Sequence, residues 1–196
     1  MYIKYSHFSL IIPVGELSES RVDILKQALT EYPEINKPNY QVITFRGGLS
    51  MLTVQPGLIT FTIQGEASEI NIEYISNELI RLKGLLDLSQ PFQIQVSLEW
   101  IENSAENIME KSKAPIFEAA KALDAEGIGY RFILNYNKFT GNAHIEPYIE
   151  DKQKIFCHID LYSKESYQNE DIQAIFSQLF TLGTSNTREA AKKIFS

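Results

Sequence analysis

The stretch from residue 42 to residue 64 constrains this chain more than any other. Three strand-like runs, 42–46, 49–55 and 58–64, are separated only by Gly47-Gly48 and Pro56-Gly57. Two-residue connections of this kind close antiparallel hairpins, and Gly-Gly suits a type I′ turn because glycine accepts positive φ. With two-residue loops, Ile43 faces Leu52, Phe45 faces Ser50, Leu52 faces Phe61 and Val54 faces Ile59. Opposed residues share a face, so these apolar positions belong to the core. The other face carries Val42, Thr44, Arg46, Leu49, Met51, Thr53, Leu58, Thr60 and Thr62. An aliphatic sheet face needs a covering helix or a partner. Val42, Leu49, Met51 and Leu58 are therefore the candidate interface, for a homodimer or another protein partner. Arg46-Gly47-Gly48 could hold an anion at a hairpin tip; a plain type I′ turn is the simpler account.

The rest of the chain alternates strands and helices. Residues 8–14 form an apolar run closed by Pro13 and Gly15 and read as a first strand. Ser18 or Ser20 caps a helix through Tyr32, which Pro33 ends; Pro38 keeps the linker extended. Helical spacing of Ile72, Ile75, Leu79, Leu82 and Leu86 predicts a helix over 70–88. Phe92, Ile94, Val96, Leu98 and Trp100 alternate strictly with polar residues, the mark of a half-buried strand. Ser104 opens a helical region to about residue 125, interrupted at Pro115. Strands follow over 128–137, 143–149 and 155–162. Asn169 caps a helix from Glu170 to Leu182, with two acids in its first turn, and Gly183 ends it. Asn186-x-x-Glu189 resembles a capping box for a short final helix.

Strand, helix, meander, helix thus occurs twice, over residues 1–90 and 91–196. The expected fold is α+β, an antiparallel sheet with helices packed on one side, in a tandem ferredoxin-like or TATA-binding-protein-like layout forming one continuous unit. The copies share layout and not sequence, which points to an internal duplication. Fold analogy carries no function.

Composition excludes several classes. The net charge of −7 and the absence of any Lys/Arg run argue against nucleic acid, whose phosphates call for a basic face. The single cysteine, Cys157, allows no internal disulfide. The first residues have no signal-peptide pattern, and no apolar run approaches the ~18 residues of a membrane span. The expectation is a cytoplasmic protein without a membrane partner.

No P-loop, GxGxxG, GxSxG, CxxC or HExxH pattern is present. Gly127-Ile128-Gly129 leads into a strand and lacks the third glycine. No cofactor and no metal site is predicted, and Cys157 reads as a small core residue. One cluster emerges from strand parity. Matching apolar faces across the last hairpin calls for an odd loop. A three-residue loop, Asp151-Lys152-Gln153, pairs Ile149 with Ile155 and Pro147 with Cys157. The polar face then holds His144 opposite Asp160 and Glu146 opposite His158, with Arg131 and Asn135 nearby. Histidine with carboxylate can ligate a divalent metal or transfer protons; a solvated face stitched by His–carboxylate pairs is the bland account.

The run Phe156-Cys157-His158-Ile159-Asp160-Leu161-Tyr162, then a polar stretch, a helix and Thr187 to Phe195, resembles the end of a sporadically distributed family of uncharacterised bacterial proteins. The match covers about a fifth of the chain. It implies a bacterial, cytosolic protein and supplies no catalytic residues.

The leading expectation is a non-catalytic binding or regulatory protein, or an assembly subunit. The alternatives are an enzyme using His144, Glu146, His158 and Asp160, and a small-ligand binder lined by Tyr130, Phe132, Tyr136 and Trp100.

Overall fold

The alternating runs become strands of a single antiparallel sheet. The computed structural model describes residues 1–39, 41–169 and 172–195. The first half comprises β1 (Tyr2–Ile11), α1 (Glu19–Ala28), β2 (Glu34–Asn39), β3 (Val42–Gly47), β4 (Ser50–Gln55), β5 (Leu58–Glu66) and α2 (Ile72–Leu85). The second comprises β6 (Gln93–Asn103), α3 (Ile108–Lys113), a 3₁₀ turn at Ala114–Ile116, α4 (Phe117–Ala122), β7 (Tyr130–Asn135), β8 (Phe139–Pro147), β9 (Lys154–Ser163), α5 (Ile172–Thr181) and α6 (Thr187–Ile194). The sheet order is β2-β3-β4-β5-β1-β6-β9-β8-β7, so β1 and β6 meet antiparallel near the middle.

One sheet face builds the core. Along β6 and β9 burial alternates residue by residue, as the sequence pattern predicts. Phe8 packs on Phe176 of α5 at 5.3 Å between ring centroids, and Phe61 on Tyr74 of α2 at 5.8 Å. Trp100, Phe45, Leu52, Leu98 and Ile159 are fully or almost fully buried on the same face. Each such side chain contributes roughly 1.5–3 kcal/mol by leaving water. Ser18 and Asn71 cap α1 and α2 through their side chains, and Asn107 caps α3. Among the described residues no helix is long and apolar enough to cross a membrane.

Several boundaries differ from the sequence pattern. β1 starts at Tyr2, although its first residues carry no apolar run. β2 is a strand where the sequence suggests an extended linker; all six residues are exposed, so no hydrophobic period marks it. The helical region after Ser104 begins later, at Ile108, and Pro115 sits in the 3₁₀ turn between α3 and α4. Gly183 does not end a helix. α5 runs through a π-helical turn at Leu182–Asn186 into α6, with Gly183 buried beside Leu98 and Ile159. Asn186 lies in helical conformation and makes no cap bond, and Glu189 pairs with Lys193 instead. The predicted first-turn acids Glu170 and Asp171 lie outside the described residues.

Two of the three hairpins that the sequence registers are displaced by two residues. In β3–β4, Phe45 faces Leu52 and Gly47 faces Ser50, so the loop is Gly48-Leu49. Gly48 has φ +59 and Leu49 has no positive φ, the pattern of a type II′ turn and not type I′. Gly47 joins the strand where it passes close to the chain at Glu31: a Cβ there would lie 2.6 Å from the Glu31 carbonyl oxygen, so only glycine fits. In β4–β5 the predicted pairs Leu52–Phe61 and Val54–Ile59 are present. In β8–β9, Pro147 faces Ile155 and Ile145 faces Cys157. Tyr148 N–H donates to the Lys154 carbonyl at 2.8 Å, which leaves residues 149–153 as the loop and Ile149 exposed.

Candidate functional site

The sheet face opposite the helices has polar residues in rows. One row crosses all nine strands: Asn36, Thr44, Thr53, Thr60, Ser9, Gln95, Tyr162, Thr140, Asn135. All nine are neutral hydrogen-bonding side chains. The next row holds Glu34, Arg46, Met51, Thr62, His7, Ser97, Asp160, Asn142 and Ile133. A shorter third row runs Tyr5, Glu99, His158, His144, Arg131. The face hollows gently over Ser9, Met51, Thr53, Leu58, Thr60 and Ser97, enclosing about 290 Å³ lined only by strand residues.

His158 is the hub of the ionisable part. Its Nδ1 lies 3.0 Å from Glu99 Oε1 and its Nε2 lies 2.8 Å from Asp160 Oδ2. Both nitrogens must donate to satisfy both carboxylates, so this geometry suits the imidazolium. The hydrogen bond to Asp160 is the largest influence raising the His158 pKa above its ordinary 6.5, and Glu99 adds to it against the cost of burial. Burial pushes the Asp160 carboxyl up, but hydrogen bonds from His158 and Ser97 and the nearby imidazole charges outweigh it, holding the group below its ordinary range. His7, from β1, bonds Thr62 Oγ1 through Nδ1 at 3.0 Å. Burial lowers its pKa, although Glu99 and Asp160 pull the other way.

The predicted cluster is therefore only partly assembled. His144 stands opposite His158, not Asp160, with ring centroids 5.8 Å apart. Its Nε2 is buried without a hydrogen-bond partner. Glu146 stands opposite Phe156, not His158, and its side chain lies against Gly129 in a separate hollow with Met109 and Ile149. Among the described residues no group of three or more His, Cys, Asp or Glu is arranged to hold a metal ion. An imidazolium with both nitrogens donating has no lone pair for one. Glu99, Ser97 and His7 were missed by sequence reasoning. The strict alternation of β6 marks Glu99 and Ser97 as polar-face residues, but nothing local says that β6 lies beside β9.

The other candidates also have definite places. Met51, Val42 and Leu58 are partly exposed, and Leu49 is exposed at the hairpin tip. Met51 and Leu58 line the 290 Å³ hollow. Cys157 is buried in the core, and burial pushes its thiol up, away from the thiolate a nucleophile needs. The aromatic set is dispersed. Trp100 is fully buried and donates to Glu102, Tyr130 donates to the Ser112 carbonyl, and Phe132 and Tyr136 line a hollow of about 230 Å³ beside α6.

No family model matches the chain, and no curated protein matches it.

Proposed function

We propose that this protein works by binding and not by turnover, as a cytoplasmic binding or assembly protein whose helix-free sheet face receives a protein partner. The observation that carries this reading is the uncovered face, crossed strand to strand by hydroxyl and amide side chains, with Met51, Leu58 and Val42 as apolar contact points toward one end. Its hollow is shallow and lined by strands alone, which suits an extended surface contact better than an enclosed reaction. The sheet order supports the duplicated, TATA-binding-protein-like layout: each half places its last strand, β5 or β9, beside its first. That layout leaves one broad face for a partner. The single cysteine supports the compartment, and the C-terminal resemblance supports a bacterial source.

Native mass spectrometry of the purified chain tests this. Expected is a retained protein mass that Met51→Glu with Leu58→Glu abolishes while folding is unchanged. A chain that carries no partner, and that binds none when mixed with extract of its own cell, overturns the reading.

One observation favours a second reading, acid/base chemistry: the orphan Nε2 of His144 beside the His158–Asp160 pair. Thermal shift with zinc, manganese and nickel addresses its metal-dependent form. A shift that disappears in His158→Ala would support it; no shift in any metal removes it.

A further inference from the structure

The two ends of the sheet are unlike. β2 is the outer strand at one end. It is entirely exposed, contains Lys37 and the donor-less Pro38, and breaks register between Asn36 and Asn39. These are the features that keep an edge from pairing with another chain. β7 is the outer strand at the other end, and its sequence, Tyr130-Arg131-Phe132-Ile133-Leu134-Asn135, carries neither a proline nor a break in register with β8.

The direction of the β7 backbone groups follows from its hairpin. Tyr136 N–H donates to the Phe139 carbonyl at 2.8 Å, so Tyr136–Phe139 is a hydrogen-bonded pair. Hydrogen-bonded pairs recur at every second residue of an antiparallel ladder. Tyr130, Phe132 and Leu134 therefore bond inward to β8, while Arg131, Ile133 and Asn135 aim their N–H and C=O groups outward. Ile133 is also 88% exposed, the largest exposure among the large hydrophobic residues described.

We propose that β7 pairs antiparallel with β7 of a second copy of this chain, with Ile133 at the two-fold axis. An isologous contact requires a self-complementary strand. In this register Ile133 meets Ile133, Arg131 meets Asn135 and Phe132 meets Leu134. No like charges face each other, and the outward groups make roughly six backbone hydrogen bonds. The two sheets become one, and the face of each copy continues across the junction. The inference stands apart from the open-face partner, since it uses the edge.

Sedimentation or light scattering of the full chain, with amide exchange as the site-specific readout, tests it. Expected is a mass twice 22.4 kDa. Ile133→Lys should give a monomer with unchanged circular dichroism and melting temperature, because the side chain of Ile133 points into solvent. Ile133→Pro removes only an outward donor and should do the same. Amides of Arg131, Ile133 and Asn135 should exchange slowly in the wild type and quickly in Ile133→Lys. Met51→Glu, the open-face variant, should leave the dimer intact. A wild-type monomer overturns the proposal. So does a dimer that survives Ile133→Lys, or one whose three edge amides exchange as fast as in that variant.

Discussion

The open face is continuous, but its two halves solve the problem of a polar surface differently. On β4 and β5 and the adjoining part of β1, most polar positions are hydroxyls, and Ser9 and Thr60 bond each other at 2.9 Å. On β6, β8 and β9 ionisable groups stand among neutral ones, gathered round His158 with its two carboxylates. The first arrangement, His7 apart, is indifferent to pH, and Ser9 and Thr60 satisfy each other locally. The second binds its members through charge, so losing one member strands the rest. A face of this kind has one half that can be repacked cheaply and one half that responds to protonation.

The largest effect that would test the contrast is Asp160→Ala. It removes the acceptor of a charge-assisted bond and leaves His158 with Glu99 alone. Bonds to charged groups are worth about 1.5–3 kcal/mol. Both side chains retain about a fifth of their exposure, so water recovers part of this, and a loss of about 2 kcal/mol in urea unfolding is expected. A loss equal to that of Thr60→Ala would erase the distinction between the halves.

Next in size is the pH dependence, which separates two histidines on one face. The folded pKa of His158 is raised above 6.5, so its bonds contribute fully below 6.5 and are lost as pH rises through the folded value. Asp160 is depressed below 3.8, so its contribution is present above 3.8 and lost as pH falls through its folded value. The clamp is whole between these limits. His7 has the opposite sign to His158. Its folded pKa is lowered, so its contribution is present above 6.5 and lost on acidification. Unfolding midpoints measured across pH should lose their decline above 6.5 in His158→Gln, and lose part of their decline below 6.5 in His7→Gln. Identical profiles for the two variants would show that the histidines do not titrate as their surroundings dictate.

What the sequence made legible was the faces, and what it hid was the register. Parity is a period of two, so a shift of two residues keeps every apolar residue inward. That is why the pattern marks Phe45 and Leu52 as core residues without showing that they stand opposite one another. The choice of Gly47 as a strand residue goes with a non-local approach to Glu31 that no local pattern displays. On β8–β9 the same ambiguity moved His144 from Asp160 to His158 and sent Glu146 away from the cluster. Glu99 was out of reach for a stronger reason. Its partner lies 59 residues on, and pairing between β6 and β9 depends on topology that no local pattern records. β2 escaped because an exposed edge strand has no hydrophobic period to display.

The smallest expected effect bears on the hydroxyl half. Thr60→Val removes one partner of the Ser9–Thr60 bond and leaves Ser9 Oγ, itself 3% exposed at residue level, unsatisfied. An unsatisfied buried group costs about 1–3 kcal/mol, and the lower end applies where the face opens to water. Ser9→Ala alone should cost a similar amount. The double variant should cost less than the sum and approach neutrality, because replacing both partners of a neutral bond by apolar groups removes the desolvation penalty with the bond. Urea denaturation of the four proteins in the cycle measures the coupling. Additive losses would mean that Ser9 and Thr60 each bond to water instead, as independent solvated groups. A clear coupling would show Ser9 and Thr60 to be a bonded pair, whose hydroxyls a partner reaches only by breaking that bond.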